Sequence, residues 1–248
     1  VIGGGAAGLF CAGVAGQRGK NILVLDHAPV LGEKIRISGG GRCNFTNVHS
    51  SPAHFLSLNP HFVKSALARY PSKEFIKLVA AHGIGYHEKH QGQLFCDDSA
   101  KQIVQMLLSE CAKGKVTIRH PVVVQSIAQE ADEWLVNIDG GQIKTKSVVM
   151  ATGGLPVPAI GASAYSLDIA KQFSLSVVHP RPALVPLSFT AESFGSLSEL
   201  AGLSIPVRIF SGIKGQRYGA CQFDEDLLLT HKGLSGPAVL QASSYWVE

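Results

Sequence analysis

A short apolar strand, a glycine turn of the form GxGxxG, a helix of small residues and a second strand ending in an acid predict an α/β fold of the dinucleotide-binding, Rossmann type. Val1-Ile2 is the tail of the first strand, and Gly3-Gly4-Gly5-Ala6-Ala7-Gly8 is the turn, with Gly3, Gly5 and Gly8 at the fixed positions. Gly3 permits a tight turn, Gly5 lets the backbone approach a pyrophosphate, and Gly8 allows close contact between helix and strand. The following run, Leu9-Phe10-Cys11-Ala12-Gly13-Val14-Ala15, suits a helix packed tightly on a sheet, whose N-terminus offers free N–H groups to phosphates. Asn21–Asp26 then reads as a buried parallel strand. Asp26 lies 23 residues after Gly3, where an acid accepts hydrogen bonds from ribose hydroxyls. An Asp here, rather than an Arg, disfavours a 2′-phosphate, so the expected ligand is FAD or NAD.

Composition narrows the class. Of 248 residues, 46% are hydrophobic and 16% charged, which excludes a disordered chain. No apolar run of about 18 residues is present to span a bilayer. A net charge of +4 neither diagnoses nor excludes a nucleic-acid partner. The five cysteines (Cys11, Cys43, Cys96, Cys111 and Cys221) form no CxxC pair, which argues against a disulfide framework or a zinc site and for a reducing cytoplasm. The chain opens on Val1 inside an apolar run without a charged leader, so no signal peptide is expected and a few residues are read as missing from its front.

The middle of the chain reads as helices and then short strands. Residues 59–70 are expected to be helical, with Asn59 as cap, Pro60 at the first position, and Phe62, Val63, Ala66, Leu67 and Tyr70 on one face. Ser72 starts a helix with Phe75, Ile76, Leu78 and Val79 inward, stopped by Gly83. Ser99-Ala100-Lys101-Gln102 has the form of a capping box leading into Ile103, Val104, Leu107, Leu108 and Cys111. Val122-Val123-Val124 and Trp134–Ile138 read as strands, with Asp139-Gly140-Gly141 as a hairpin turn. Ser147–Met150 reads as a buried strand running into Ala151-Thr152-Gly153-Gly154, small residues that let backbone lie against a cofactor.

The most specific segment is Gly32–Asn47, which contains Ser38-Gly39-Gly40-Gly41-Arg42-Cys43-Asn44-Phe45-Thr46-Asn47. Three glycines leave N–H groups free to cradle an anion, Arg42 can offset phosphate charge or polarise a flavin carbonyl, and Asn44 and Thr46 supply neutral hydrogen bonds. With the fingerprint and the ATGG strand, this segment resembles the bacterial flavoprotein family called HI0933-like, or BaiN/RdsA-like. Further matching stretches are Gly92–Cys96, Pro182–Leu187 and Thr230–Pro237. The resemblance implies a glutathione-reductase-like, three-layer FAD domain over residues 1–182. An inserted strand-rich substrate domain would begin at 183 and run incomplete to 248, without the C-terminal Gly-rich segment that closes the site. It implies FAD on Gly3, Gly5, Ala6, Ala7, Gly8 and Asp26, with Lys34 as a second phosphate contact. It also implies that Ser38, Gly39, Gly40, Gly41, Arg42 and Asn44 lie along the pyrophosphate and flavin ring, with Val123, Ala151, Thr152, Gly153 and Gly154 completing the site.

The resemblance further implies an oxidoreductase taking hydride from NAD(P)H through FAD to an activated C=C bond. Two substrates fit this chemistry: uridine in ribosomal RNA, giving dihydrouridine, or a small steroid-like enone. A non-catalytic flavin- or nucleotide-binding protein is the reading from a different class. Cys43, beside Arg42, is the candidate proton donor, because a neighbouring cation lowers a thiol pKa. Tyr165, in the Gly161–Ser166 segment after ATGG, is a candidate pocket residue. His82, His87 and His90 lack the spacing of a zinc helix and read as a surface turn. An RNA substrate predicts a basic rim drawn from Lys214, Arg217 and Lys232.

Overall fold

The computed structural model describes residues 1–212 and 220–245. They divide into two compact units, Val1–His54 with His61–Val177, and Phe55–Pro60 with Val178–Glu248.

The first unit begins with α1 (Ala6–Gln17), β1 (Leu23–Leu25), α2 (Glu33–Ile37), a 3-10 turn over Ser38–Gly41 and β2 (Asn44–Asn47). It continues through α3 (Lys64–Arg69), α4 (Ser72–Ala81), β3 (Tyr86–Glu88), β4 (Gln93–Cys96), α5 (Lys101–Lys113) and β5 (Thr117–Arg119). The meander β6 (Val124–Glu130), β7 (Glu133–Ile138) and β8 (Gly141–Thr145) is followed by α6 (Tyr165–Gln172).

Three layers result. The middle layer is parallel: β1 pairs with β5 in the register Val24↔Ile118, and Ile2 bridges Leu25 on one side and Met150 on the other. On one face lie α1 and α5, where Leu9, Val24, Ile103, Met106 and Leu107 form the larger core. On the other face, Ile127 and Val136 of the meander join Ile2 and Leu25, with Ile169 and Phe173 of α6 packed alongside. Side chains this well buried set the stability of the unit, since truncating a buried Leu typically costs about 2–5 kcal/mol. A separate antiparallel sheet, β2-β4-β3, closes the first core: Phe45 meets the Tyr86 ring edge-on at 5.6 Å and the Phe75 ring at 6.1 Å.

The mixed α/β, Rossmann-type architecture is the expected one, and Asp139-Gly140 forms the two-residue loop between β7 and β8. Four local expectations need correction. The helix over 59–70 forms only at Lys64–Arg69: residues 55–60 belong to the second unit, the Asn59 N–H is taken by Ser57 Oγ at 3.1 Å, and Phe62 is 75% exposed. The capping box does not close. The Ala100 N–H goes to Gly41 O at 2.7 Å, Ser99 Oγ accepts from Lys101 N, and the Gln102 amide turns to the carboxylate of Asp98. Strand β6 starts only at Val124, because the Val122 N–H is bonded to Asp26 O at 2.7 Å and Val123 is half exposed. The strand before ATGG is reduced to the single bridge at Met150, and Val149 is 40% exposed.

The second unit holds an antiparallel sheet of β9 (Leu187–Ser188), β10 (Ser204–Ser211), β11 (Cys221–Thr230) and β12 (Gly233–Ser235), in the order β10-β11-β12-β9. A short helix, α7 (Ala191–Phe194), precedes β10. The helix α8 (Pro237–Ser243) starts at a proline, whose missing N–H costs nothing at the first helical position, and buries Ala238, Val239 and Ala242. Its Ser243 and Ser244 hydroxyls accept the N–H groups of Val185 and Leu184, tying the strand-poor entry segment to the helix end.

Candidate functional site

The glycine turn is shaped by contact on one side and left open on the other. Gly3 has φ +108° and its N–H donates to Leu25 O at 2.8 Å. A Cβ at Gly3 would collide with the Ala151 carbonyl, and one at Gly8 with the Gly3 carbonyl. A Cβ at Gly5 would meet nothing within 4 Å. Gly5 caps α1 with no side-chain bond, and the exposed Ala6 and Ala7 open the helix. The N–H groups of that first turn have no acceptor within the helix and carry its positive end, about half a charge.

Asp26 holds this turn from the other side. One carboxylate oxygen accepts the Gly4 N–H and the other accepts the Ala28 N–H at 2.7 Å, with the side chain 12% exposed. The residue placed by sequence at a ribose therefore also ties the glycine turn to the segment after β1. Its neighbour His27 lies against Gly161, so the stretch after ATGG comes to the same end of the sheet.

Lys34 is also brought in. Its Nζ donates to Gly154 O at 3.2 Å, and Ser166 Oγ donates to Gly153 O at 3.3 Å. Thr152 Oγ1 and Tyr165 Oη are buried with no hydrogen-bond partner among the described residues, and Tyr165 packs against the core of Ile2, Leu25, Ile127 and Val136.

The three glycines have positive φ, +56° at Gly39, +65° at Gly40 and +85° at Gly41, as does Cys43 at +53°, while Arg42 between them is right-handed at φ −106°. A Cβ at Gly39 would lie 2.7 Å from Asn44 N and 2.8 Å from the Phe95 ring, whereas Gly40 and Gly41 face open space. Inside the turn the Arg42 N–H is taken by Gly39 O at 3.3 Å and the Cys43 N–H by Ser38 O at 3.0 Å. Arg42 and Asn44 are exposed beside it, while Ser38 Oγ is turned back to Ile35 O. Val123 stands half exposed next to the residue bonded to Asp26 O.

Cys43 does not have the environment expected of it. It is 6% exposed within the larger core, and burial pushes its thiol pKa up, against a smaller lowering by the Ser38 hydrogen bond. Arg42 points to solvent and does not offset that burial.

Of the three histidines, His82 Nε2 pairs with Glu110 Oε1 and His87 Nδ1 with Asp97 Oδ1, each at 2.7 Å. Among the described residues, no group of three His, Cys, Asp or Glu side chains could hold a metal. Lys232 is exposed in the second unit, and Lys214 and Arg217 lie outside the described residues. Sequence reasoning missed the double backbone tie of Asp26 and the His87–Asp97 pair; the hairpin register of β3 and β4 is the signal that could have revealed the pair.

A glycine turn on a helix without a side-chain cap, tied to an acid after the next strand, is the geometry of a dinucleotide-binding turn. The family model described as the HI0933-like protein Rossmann domain matches residues 1–239. The chain belongs to this family. Relatives of this HI0933-like chain include a protein named ribosomal RNA dihydrouridine synthase from Escherichia coli (strain K12). It is 49% identical over 246 residues, covering 99% of this chain and 60% of that protein. A protein of the same name from Haemophilus influenzae is 48% identical over 250 residues, covering 99% of this chain and 61% of its own length. A 3-dehydro-bile acid delta(4,6)-reductase from Clostridium scindens is 25% identical over 248 residues, covering 99% of this chain and 59% of that protein. The HI0933-like chain thus spans about three fifths of the length of the curated relatives it matches. Among its described residues, no helix is long and apolar enough to cross a membrane.

Proposed function

We propose that the chain carries the FAD-binding region of a flavoenzyme that uses NAD(P)H to reduce a uridine of ribosomal RNA to dihydrouridine, in a reducing cytoplasm. The observation that carries this reading is the glycine turn: Gly5 is open where Gly3 and Gly8 are closed by backbone, at the start of a helix with no side-chain cap. The unpartnered Thr152 Oγ1 and the small ATGG turn fit a bulky cofactor laid against backbone. Identity of 48–49% to the two dihydrouridine synthases, against 25% to the bile acid reductase, supports uridine over a small enone.

In this reading the N–H groups of Ala6, Ala7 and Gly8, with Lys34, hold the pyrophosphate, and Asp26 accepts from a ribose hydroxyl. Ser38, Gly39, Gly40, Gly41, Arg42 and Asn44 border the flavin, Ala151, Thr152, Gly153 and Gly154 lie against it, and Val123 lines the site. A bound flavin supplies hydride transfer from a nicotinamide to an electron-poor alkene. The chain's own residues orient the ring and neutralise phosphate charge. The second unit is the start of the substrate domain, with Lys232 on its basic rim.

The test is anaerobic. The purified protein should be yellow, lose its flavin absorbance on addition of NADH or NADPH, and recover it with rRNA from a strain lacking the enzyme. That RNA should gain the mass of two hydrogens at a uridine, less efficiently as salt rises. A protein that no nicotinamide reduces overturns the enzyme reading; recovery with enones but not with rRNA overturns the substrate.

A further inference from the structure

Reducing a conjugated alkene requires two deliveries, a hydride to one carbon and a proton to its neighbour, and the proton needs a donor held within reach. Cys43 is enclosed in the core. The outer face of the β2-β4-β3 sheet offers a different group. In its register Asn44 sits opposite Phe95, and Phe95 opposite His87, so the three are cross-strand neighbours running outward from the triglycine turn. The Phe95 ring lies under Gly39. The His87 ring stacks on Phe95 at 6.4 Å and 21°, and its Nδ1 is 2.7 Å from Asp97 Oδ1. Asp97 is itself anchored, its N–H donating to Gly85 O at 3.0 Å.

We infer that His87, held by Asp97 and braced on Phe95 beside the triglycine turn, is the acid that protonates the substrate; this rests on the flavin-reductase reading. The carboxylate engages the imidazole through Nδ1, which leaves Nε2 for proton transfer on a side chain that is 42% exposed. A carboxylate-oriented histidine is suited to give and take protons near neutral pH. Asp97, just after β4, contacts His87 directly, and Lys89, just after β3, holds its Nζ 5.4 Å from the centre of the same Phe95 ring. Glu88 is turned aside to accept the Gly92 N–H. Lys89 brings positive charge to the same spot, which favours a polyanionic substrate.

The step balances as follows. C6 of the uracil receives hydrogen and an electron pair from the reduced flavin, and the C5=C6 π electrons become the enolate of the C4 carbonyl. As the enolate reverts to the carbonyl, a C5–H bond forms and the Nε2–H bond breaks. The imidazolium becomes imidazole and is reprotonated by water.

The experiment uses His87→Gln and Asp97→Asn in the protein, timing flavin reduction by nicotinamide and reoxidation by rRNA separately. Flavin content and nicotinamide reduction should match wild type in both variants. Reoxidation should fall about 10²–10⁴-fold in H87Q. D97N should fall less and in kcat rather than in KM for rRNA, because the carboxylate that fixes the imidazole orientation is gone. An H87Q protein with unchanged reoxidation, or one whose defect is wholly in KM for rRNA, overturns the inference alone. A wild-type protein that makes no dihydrouridine overturns this and the functional reading together.

Discussion

The Nζ of Lys34 lies 3.2 Å from the carbonyl oxygen of Gly154, so a five-residue helix after the first strand and the turn after the last parallel segment share a hydrogen bond. Lys34 is also the proposed second contact to the pyrophosphate. Lys34→Met should therefore leave thermal stability nearly unchanged, since an exposed single bond contributes on the order of 1 kcal/mol or less. It should weaken flavin retention about tenfold, read by flavin titration into the stripped protein.

The three fingerprint glycines should separate into two classes. Gly8→Ala places a methyl group into the Gly3 carbonyl and should destabilise the fold by about 1–3 kcal/mol or more, seen as a lowered Tm with or without cofactor. Gly5→Ala places its methyl group in open space, so Tm of the flavin-free protein should hold while flavin affinity drops. Equal losses of Tm in the two variants would contradict the open lip at Gly5.

Asp26→Asn should be costly even in the absence of any ligand. The carboxylate accepts from Gly4 and Ala28 through its two oxygens, and an amide can offer an oxygen to only one of them. The other N–H would face a donor, a loss of about 1–3 kcal/mol measurable by urea unfolding of the flavin-free protein.

Stability should fall on the acid side through Glu110. Burial acts to raise its pKa, but hydrogen bonds from Lys113, Gln17 and His82 outweigh it and bring it from 4.5 down to about 2. Because the folded-state value is the lower one, the contribution is full above about pH 4.5 and is lost as pH drops toward 2. Solvent screening keeps it to about 1–2 kcal/mol. Glu110→Gln should flatten that part of the unfolding profile against pH.

The fold was legible where local sequence and close packing demand the same residue. Gly3 and Gly8 can be nothing larger, so their spacing announces the strand–turn–helix directly, and Phe75, Leu78 and Val79 fall on the inward face their periodicity gives. It was not legible where a distant segment competes for a backbone group. Ala100 N–H is claimed by Gly41 O and Val122 N–H by Asp26 O, and neither claim is written near the residue concerned. Cys43 misled for a related reason: its neighbour Arg42 is visible in the sequence, but the core that encloses the thiol is assembled from Leu9, Ile103 and others far along the chain. His87 and Asp97 required the β3–β4 register before they could be seen as a pair.

The bridge from Ile2 to Met150 has a consequence for how the chain matures on the ribosome. The central seam of the parallel layer joins Ile2 to a residue synthesised much later, so this apolar stretch leaves the exit tunnel long before its neighbour exists. Such long-range pairing slows folding and leaves a sticky edge waiting. A nascent-chain protease assay should find the first segment cleavable until residue 150 and the helix beyond it have emerged.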